Sequence, residues 1–506
     1  MAIVALKELS DPTMIQVVLI SLFTIFLIVK FWKNSGKNLP PGPPKLPFIG
    51  NMNRLLGLAP HRSLTELAQK YGPIMHLQLG SVSAIIISSA DVAKEIMKTQ
   101  DLVFANRPQV VSAKLLGYNY TDVAFAPYGT YWRQLRKICI VELLNMNRVN
   151  SYRFVREEEV SLLVKTIASS CGAPVNIADE LFTLNHDITT RITFGKKSDD
   201  RFRFKAAMRE GTSLSAGFHI GDFFPSLEFV GALSGMKARI ENNFVELDGI
   251  LSQVIDEHLD ETKNKKKTED LIDVLLRVKK NGELEIPLTH DNIKAVILDL
   301  FVGGTENSSN TVEWIMSELV KNPTMMEKAQ AEVRRVVGEK PTVEESDLGE
   351  LSYMKLVIKE SLRLHTPLPL LIPRETMEPC TINGYKIPAK TRAIVNYYAI
   401  GRDPFSWTNP DSFDPERFSD SSVDFRGRDY ELIPFGAGRR ICPGISFAIA
   451  NIELTLASLL FHFDWKLPGE MKPEDLDMDE TFGLTIFKKE NLHLVPTVRY
   501  PLNLSD

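Results

Sequence analysis

The hydrophobic pattern changes character along the chain, and the changes mark its parts. From Met14 to Val29 only Gln16, Ser21 and Thr24 interrupt an apolar run, which Phe31 and Trp32 extend towards the roughly 20 residues needed to cross a bilayer. Lys30, Lys33 and Lys37 follow it, whereas Lys7, Glu8 and Asp11 precede it. This charge asymmetry predicts an uncleaved membrane helix over 14–32, a lumenal tail over 1–13 and a cytoplasmic remainder. Residues 33–50 carry Pro40, Pro41, Pro43, Pro44 and Pro47, a stiff hinge, because each proline fixes φ and removes a donor.

Beyond the hinge, 51–506 reads as one catalytic body, mainly α with small β-sheets. Helical periodicity runs over 60–70, strict alternation with a Gly80-Ser81 turn predicts a hairpin over 74–88, and Ser88-Ser89 opens a helix over 91–98. Residues 106–126 lack a period and read as loop. A helix opens at Tyr131, and amphipathic helices fill most of 150–285, with the period broken over 211–225. Thr289 is a candidate N-cap for a long helix to Val320. Its first half is apolar, while Gly303-Gly304-Thr305-Glu306-Asn307-Ser308 makes a poor helix interior and predicts a local bend beside a ligand. The prolines of 366–374 predict an extended strand, 384–388 and 393–397 read as sheet, 482–487 as a hairpin tip, and 445–461 as an apolar helix.

Composition narrows the class. The chain has 506 residues and a mass of 57.0 kDa, with 44% hydrophobic and 24% charged residues, as expected of a globular protein. A net charge of -5 without a basic block argues against nucleic-acid binding. The four cysteines, Cys139, Cys171, Cys380 and Cys442, have neither disulfide nor zinc spacing, and the nine histidines include no His-Glu-x-x-His. The sequon at Asn119 is predicted to be unused on the cytoplasmic side.

Candidate chemistry concentrates at Cys442. It lies in Pro434-Phe435-Gly436-Ala437-Gly438-Arg439-Arg440-Ile441-Cys442-Pro443-Gly444, where glycines permit close approach to a flat ligand and arginines favour a thiolate. Trp132 and Arg136 stand four apart on one helical face, suited to buried carboxylates. Glu360 and Arg363 are three apart on another helix.

Phe435, Gly438, Arg440, Cys442 and Gly444 resemble the haem-thiolate signature of the cytochrome P450 superfamily, and the hinge and Arg439-Arg440 version are similar to plant microsomal A-type members that oxidise terpenoids and alkaloids. The resemblance implies a P450-like fold with an N-terminal membrane helix, anchored in the endoplasmic reticulum. It implies haem b ligated by Cys442, with haem contacts from Trp132, Arg136, His365, Arg374, Phe435, Arg440 and Gly444. It implies electrons from NADPH through NADPH-cytochrome P450 reductase, a flavoprotein, with cytochrome b5 as a further donor. Glu360, Arg363 and Arg417 would form a structural charged network. Thr305, Glu306, Asn307 and Ser308 would be catalytic. Leu115, Phe125, Leu214, Phe218, Phe301, Gly303, Leu368, Leu370, Leu371, Phe482 and Leu484 would line a hydrophobic substrate pocket. One residue departs from the pattern: Asn307 stands where the family places a hydroxyl. The reading is a monooxygenase acting on a small hydrophobic plant metabolite, a terpenoid first. Asn307 keeps open ring formation, rearrangement or dehydration, and a non-catalytic haem sensor is a third reading.

Overall fold

The computed structural model describes residues 38–500, except 56–58, 198–200, 216–218, 228–234, 261–268, 283, 482 and 484, together with Gln16 and Ser21. Helices dominate, and the organising one is the central helix, α-helical over His290–Phe301, π over Val302–Glu306 and α-helical again over Asn307–Lys321. Thr289 caps it as expected: its hydroxyl accepts from Asn292 N at 3.1 Å, and the Asn292 side chain accepts from Thr289 N at 2.9 Å. Both orphan donors are thereby satisfied. The π turn falls on Gly303-Gly304, where propensity predicts a bend, because glycine makes the tighter ladder cheap to open.

Packing around this helix sets the site. Ile177–Phe194 and the cysteine helix Ile445–His462 both lie against it. At Gly304 the approach is closest: a Cβ there would stand 3.3 Å from the Phe447 ring and 3.3 Å from the Thr189 hydroxyl. The lid helix Arg201–Ser215 packs on Met236–Leu259 and on the short helix Val111–Leu116. The predicted break at 211 therefore starts later, since 211–215 continue the lid helix.

The sheets are small. Strands β1 (Ile74–Leu79) and β2 (Val82–Ile87) form the expected hairpin, pairing Ile74 with Ile87 and Leu79 with Val82. Parallel pairing of β2 with Arg392–Val395, and antiparallel pairing of that strand with Arg374–Glu375, complete a four-stranded sheet. Two findings correct the sequence reading here. Between Thr366 and Pro373 the backbone turns instead of extending: Leu371 N donates to Leu368 O at 3.0 Å, and Leu371 takes φ 49°. Prolines at 367, 369 and 373 lack the amide donors a ladder would need.

The second correction concerns the membrane helix assigned to the fold. Among the described residues, the one helix long and apolar enough to cross a membrane is Ile445–His462, not a segment near the N-terminus. It is 67% buried and serves as a core helix behind the cysteine loop. The segment assigned to the span, 14–32, lies outside the described residues apart from Gln16 and Ser21.

Candidate active site

The cysteine loop is shaped by its glycines. Gly438 takes φ +68°, and a Cβ there would stand 2.1 Å from the carbonyl oxygen of Met97, so the loop can lie this close to that carbonyl only without a side chain. Gly436 takes φ +70° in open space. Cys442 N donates to Phe435 O at 2.9 Å, closing the loop, and Gly444 N donates to the Cys442 sulfur at 3.3 Å. Burial pushes the thiol up; the Gly444 amide and the nearby Arg136 act against it. A ligand that takes the thiolate form would reverse the burial penalty.

Around the loop four guanidiniums are buried together. Arg440 donates to Ala105 O at 2.8 Å and to Ala126 O at 2.6 Å, with its guanidinium 4.1 Å from the centre of the Trp132 ring. Arg374 donates to Ala437 O at 2.6 Å and pairs with Asp101 at 2.8 Å. Arg136 donates to Ile441 O. Arg107 donates to Ala124 O at 3.0 Å, Ile372 O at 2.6 Å and Pro373 O at 2.8 Å. Desolvation first, then repulsion from Arg440 and Arg374, drives the Arg107 value well down, and burial with Arg374 and Arg136 nearby brings Arg440 to about 9. Apart from Asp101 at Arg374, the acceptors are carbonyl oxygens, which satisfy the donors but do not neutralise the charge. Two carboxylates would.

Arg107 was not legible as a site residue, and its signal in the sequence was weak: one of two cations, with Lys114, in a low-charge segment. Asp299 was missed too, although an acid in the apolar half of a buried helix is a visible anomaly. Its carboxylate accepts from Val123 N at 2.6 Å and Ala124 N at 3.2 Å, tying loop 117–126 to the central helix. Burial raises it to about 7. Asp122 is raised as well, by burial and by Asp299 itself.

On the central helix, Gly303 is exposed although its neighbours in the helix are mostly buried, and a Cβ there would meet nothing within 4 Å. This open face is the groove that the glycines predict. Asn307, one turn on, donates to Gly303 O at 3.2 Å. Thr305 Oγ1, Asn307 Oδ1 and Ser308 Oγ are buried without a partner among the described residues, the condition under which ordered water fills a polar pocket. Glu306 is raised to about 7 by burial, partly offset by the Thr212 and Thr485 hydroxyls and by Arg209.

The structural trio assembles. Glu360 Oε1 accepts from Arg363 at 2.7 Å, Arg417 at 3.0 Å and Asp414 N at 2.8 Å, while Oε2 accepts from Arg363 Nε at 2.8 Å. Other expected residues lie elsewhere. His365 bonds Glu318 at 2.6 Å and stacks on Trp314 at 4.3 Å, because a buried imidazole takes the nearest carboxylate. It is not in the arginine cluster. Phe301 is fully buried against Phe204 at 4.7 Å and Phe194 at 5.2 Å. Leu370 packs on the small cluster of Leu77 and Ile86, and Leu371 on the main core. Leu115, Phe125 and Leu368 are half-buried, and Leu214 is buried on the lid helix. Phe218, Phe482 and Leu484 lie outside the described residues.

A buried thiol in a glycine-shaped loop, a cationic pocket for two carboxylates and a widened groove on the central helix are the parts of a haem-thiolate oxygenase. The family described as Cytochrome P450 matches residues 40–495. Desmethyl-deoxy-podophyllotoxin synthase of Sinopodophyllum hexandrum is 50% identical over 506 residues, covering 99% of each chain. Premnaspirodiene oxygenase of Hyoscyamus muticus is 49% identical, covering 95% of this chain and 99% of that one. A zebra fish cytochrome P450 solved with progesterone superposes with a TM-score of 0.78 at 25% identity, covering 87% of this chain and 100% of that one. The chain belongs to the cytochrome P450 family. It is a membrane-associated haem b monooxygenase that receives electrons from NADPH through NADPH-cytochrome P450 reductase and acts on a small hydrophobic molecule. The residues present fit the cofactor: Arg374 has Asp101, while Arg107, Arg136 and Arg440 have carbonyl oxygens as their hydrogen-bond acceptors, and the two haem propionates would supply the missing anions.

Proposed function

We propose that the catalytic body, 51–506, follows the hinge over 33–50, faces the cytoplasm at the endoplasmic reticulum and oxygenates a terpenoid. The buried cation cluster beside the Cys442 loop carries the assignment of the site. In this reading Cys442 ligates the iron, Arg107, Arg136, Arg374 and Arg440 hold the propionates, and Trp132 braces Arg440. When bound, haem supplies redox chemistry that activates dioxygen towards an unactivated C–H bond, with electron density from the thiolate.

This chain's own groups do the rest. Gly303 leaves room for substrate against the helix backbone. Leu115, Phe125, Leu214 and Leu368 offer an apolar wall with no charge to anchor an ionised substrate, which supports an uncharged one. A premnaspirodiene oxygenase among the relatives supports the same choice. Asn307 keeps its amide on Gly303 O, so its carbonyl oxygen is left to accept a hydrogen bond from water. Thr305 and Ser308 offer hydroxyls to the same water, and Glu306 carries a transferable proton near neutral pH.

The test is spectral and catalytic. Reduced enzyme with carbon monoxide gives the red-shifted thiolate band, and Cys442→Ser abolishes it. Microsomes are then assayed with a terpene panel, with and without NADPH and reductase. Oxygenated product that depends on both supports the reading; product formed without either overturns it in favour of rearrangement.

A further inference from the structure

The loop residues Val123 to Ala126, just before the helix Thr130–Ile138, stand between two acids and the guanidinium cluster. On one side, Val123 N and Ala124 N donate to Asp299 Oδ2 at 2.6 and 3.2 Å, and Phe125 N donates to Asp122 Oδ1 at 2.9 Å. On the other, Val123 O accepts from Trp132 Nε1 at 3.0 Å and from Arg440 Nη1 at 3.4 Å. Ala124 O accepts from Arg107 Nε at 3.0 Å, and Ala126 O from Arg440 Nη2 at 2.6 Å. Among the described residues neither acid is hydrogen-bonded to a guanidinium directly; the backbone lies between them.

These bonds sort by peptide unit into two bridges. A trans peptide holds its C=O and the following N–H in one rigid plane, pointing opposite ways. The unit 123–124 carries Asp299 on its N–H, and Trp132 with Arg440 on its C=O. The next unit, 124–125, carries Asp122 on its N–H and Arg107 on its C=O. Turning either N–H away from its acid therefore turns the carbonyl away from its cation. An N–H bonded to a carboxyl oxygen also polarises its own carbonyl and makes it a stronger acceptor. Residues 123–126 belong to no helix or strand, so no ladder fixes these planes. The two acids supply the orientation a ladder would have given.

We infer that Asp299 and Asp122 are positioning residues for the haem carboxylates: they aim the carbonyls of Val123 and Ala124 at Arg440, Trp132 and Arg107, and so fix two guanidiniums where the propionates bind. This rests on the oxygenase reading above, which supplies the propionates. Asp299 stands on the central helix one turn before Gly303, so the propionate-binding side of the site is held in register with the groove by a side chain of the groove's own helix.

The experiment reads the haem and not turnover. The ferric–ferrous midpoint potential and the propionate bending bands of the resonance Raman spectrum are recorded for full-length holoenzyme with Asp299→Ala, Asp299→Asn, Asp122→Ala and Asp122→Asn. Alanine and asparagine both remove the charge, and asparagine keeps an acceptor oxygen, so the difference between them reports the acceptor alone. Propionate charge favours the ferric state, and a guanidinium held against it offsets that preference. Each alanine variant is therefore reduced about threefold less than its asparagine partner at a fixed poise, a midpoint lower by about 30 mV, and its propionate bands shift. Tyr118→Phe is the control: it removes another tie of the same loop, to Asp248 at 2.8 Å, without changing charge or touching 123–126, and it keeps the wild-type potential. Haem lost from an alanine variant but kept by its asparagine partner and by Tyr118→Phe is the same result in stronger form. Equal potentials for alanine and asparagine, or an equal fall in Tyr118→Phe, overturn the inference. The carbon monoxide band of wild type separates the two failures. Its absence sinks the oxygenase reading and the inference with it, whereas a normal band with equal potentials sinks the inference alone.

Discussion

Two glycines in the cysteine loop allow conformational strain to be separated from steric exclusion. Gly436 and Gly438 take nearly the same left-handed φ, +70° and +68°. Alanine at either pays the left-handed penalty of about 1–2 kcal/mol. At Gly436 nothing lies within 4 Å of the new methyl, and the cost ends there. At Gly438 the methyl would stand 2.1 Å from Met97 O and 2.7 Å from Asp101 Oδ1. The first of these atoms is backbone, so the loop itself must shift, adding about 1–3 kcal/mol for overpacking. Asp101 is also the acceptor for Arg439 N at 2.9 Å and the partner of Arg374 at 2.8 Å. Movement there loosens one guanidinium of the haem cradle. The expected loss is therefore about 1–2 kcal/mol for Gly436→Ala and about 2–5 kcal/mol for Gly438→Ala, against a typical total of about 5–15 kcal/mol. Urea unfolding of each holoenzyme, with the carbon monoxide band as a measure of retained haem, reads both effects. Equal losses, or a larger loss for Gly436→Ala, would refute the steric argument.

Glu360→Gln leaves Arg363 and Arg417 buried without their carboxylate, with a loss of about 3–5 kcal/mol; a urea midpoint within error of wild type would show the trio to be dispensable. Asp299 yields a pH dependence. Its folded value, about 7, lies above the ordinary 3.8, so the folded chain binds more protons than the unfolded one across that interval. Its contribution is fully present below the lower value and is lost as pH rises through the upper one. Asp299→Asn keeps an acceptor for Val123 N and Ala124 N, so wild type's stability relative to the variant should fall as pH rises from about 4 to about 8. A difference that stays flat from about pH 4 to about pH 8 would contradict the assignment.

Legibility tracked the range of the interaction. The central helix was visible because Thr289 caps locally and Gly303-Gly304 weakens a helix wherever it occurs. The Glu360, Arg363 and Arg417 network was legible through family resemblance, since Arg417 lies far from the other two in sequence and three-residue spacing alone is common. The 366–374 segment failed for a physical reason: prolines forbid a helix but equally deny a ladder, and a turn was the remaining solution. For Phe301 and His365, apolar or imidazole character does not say which neighbour the side chain will meet. Each found a partner from a distant segment, Phe204 in one case and Glu318 in the other.

The same limit explains why the two sides of the site differ in kind. On the cysteine side the chemistry is carried by charge and by backbone shape, both of which leave marks in sequence as arginines and glycines. The guanidiniums also explain each other: buried together and satisfied only by carbonyls and Asp101, they are held in an arrangement whose repulsion a dianionic cofactor relieves. Binding that occurs only to the folded state then stabilises it by mass action. On the groove side the polar groups meet partners from distant segments: Thr485, in the C-terminal loop, brings its hydroxyl to 3.5 Å from Glu306 Oε2, and Asn310 donates to Ile486 O of the same loop at 3.3 Å. A threonine in a sequence carries no trace of which carboxyl it will meet. The surroundings of the groove are therefore set by contacts that only the folded chain assembles.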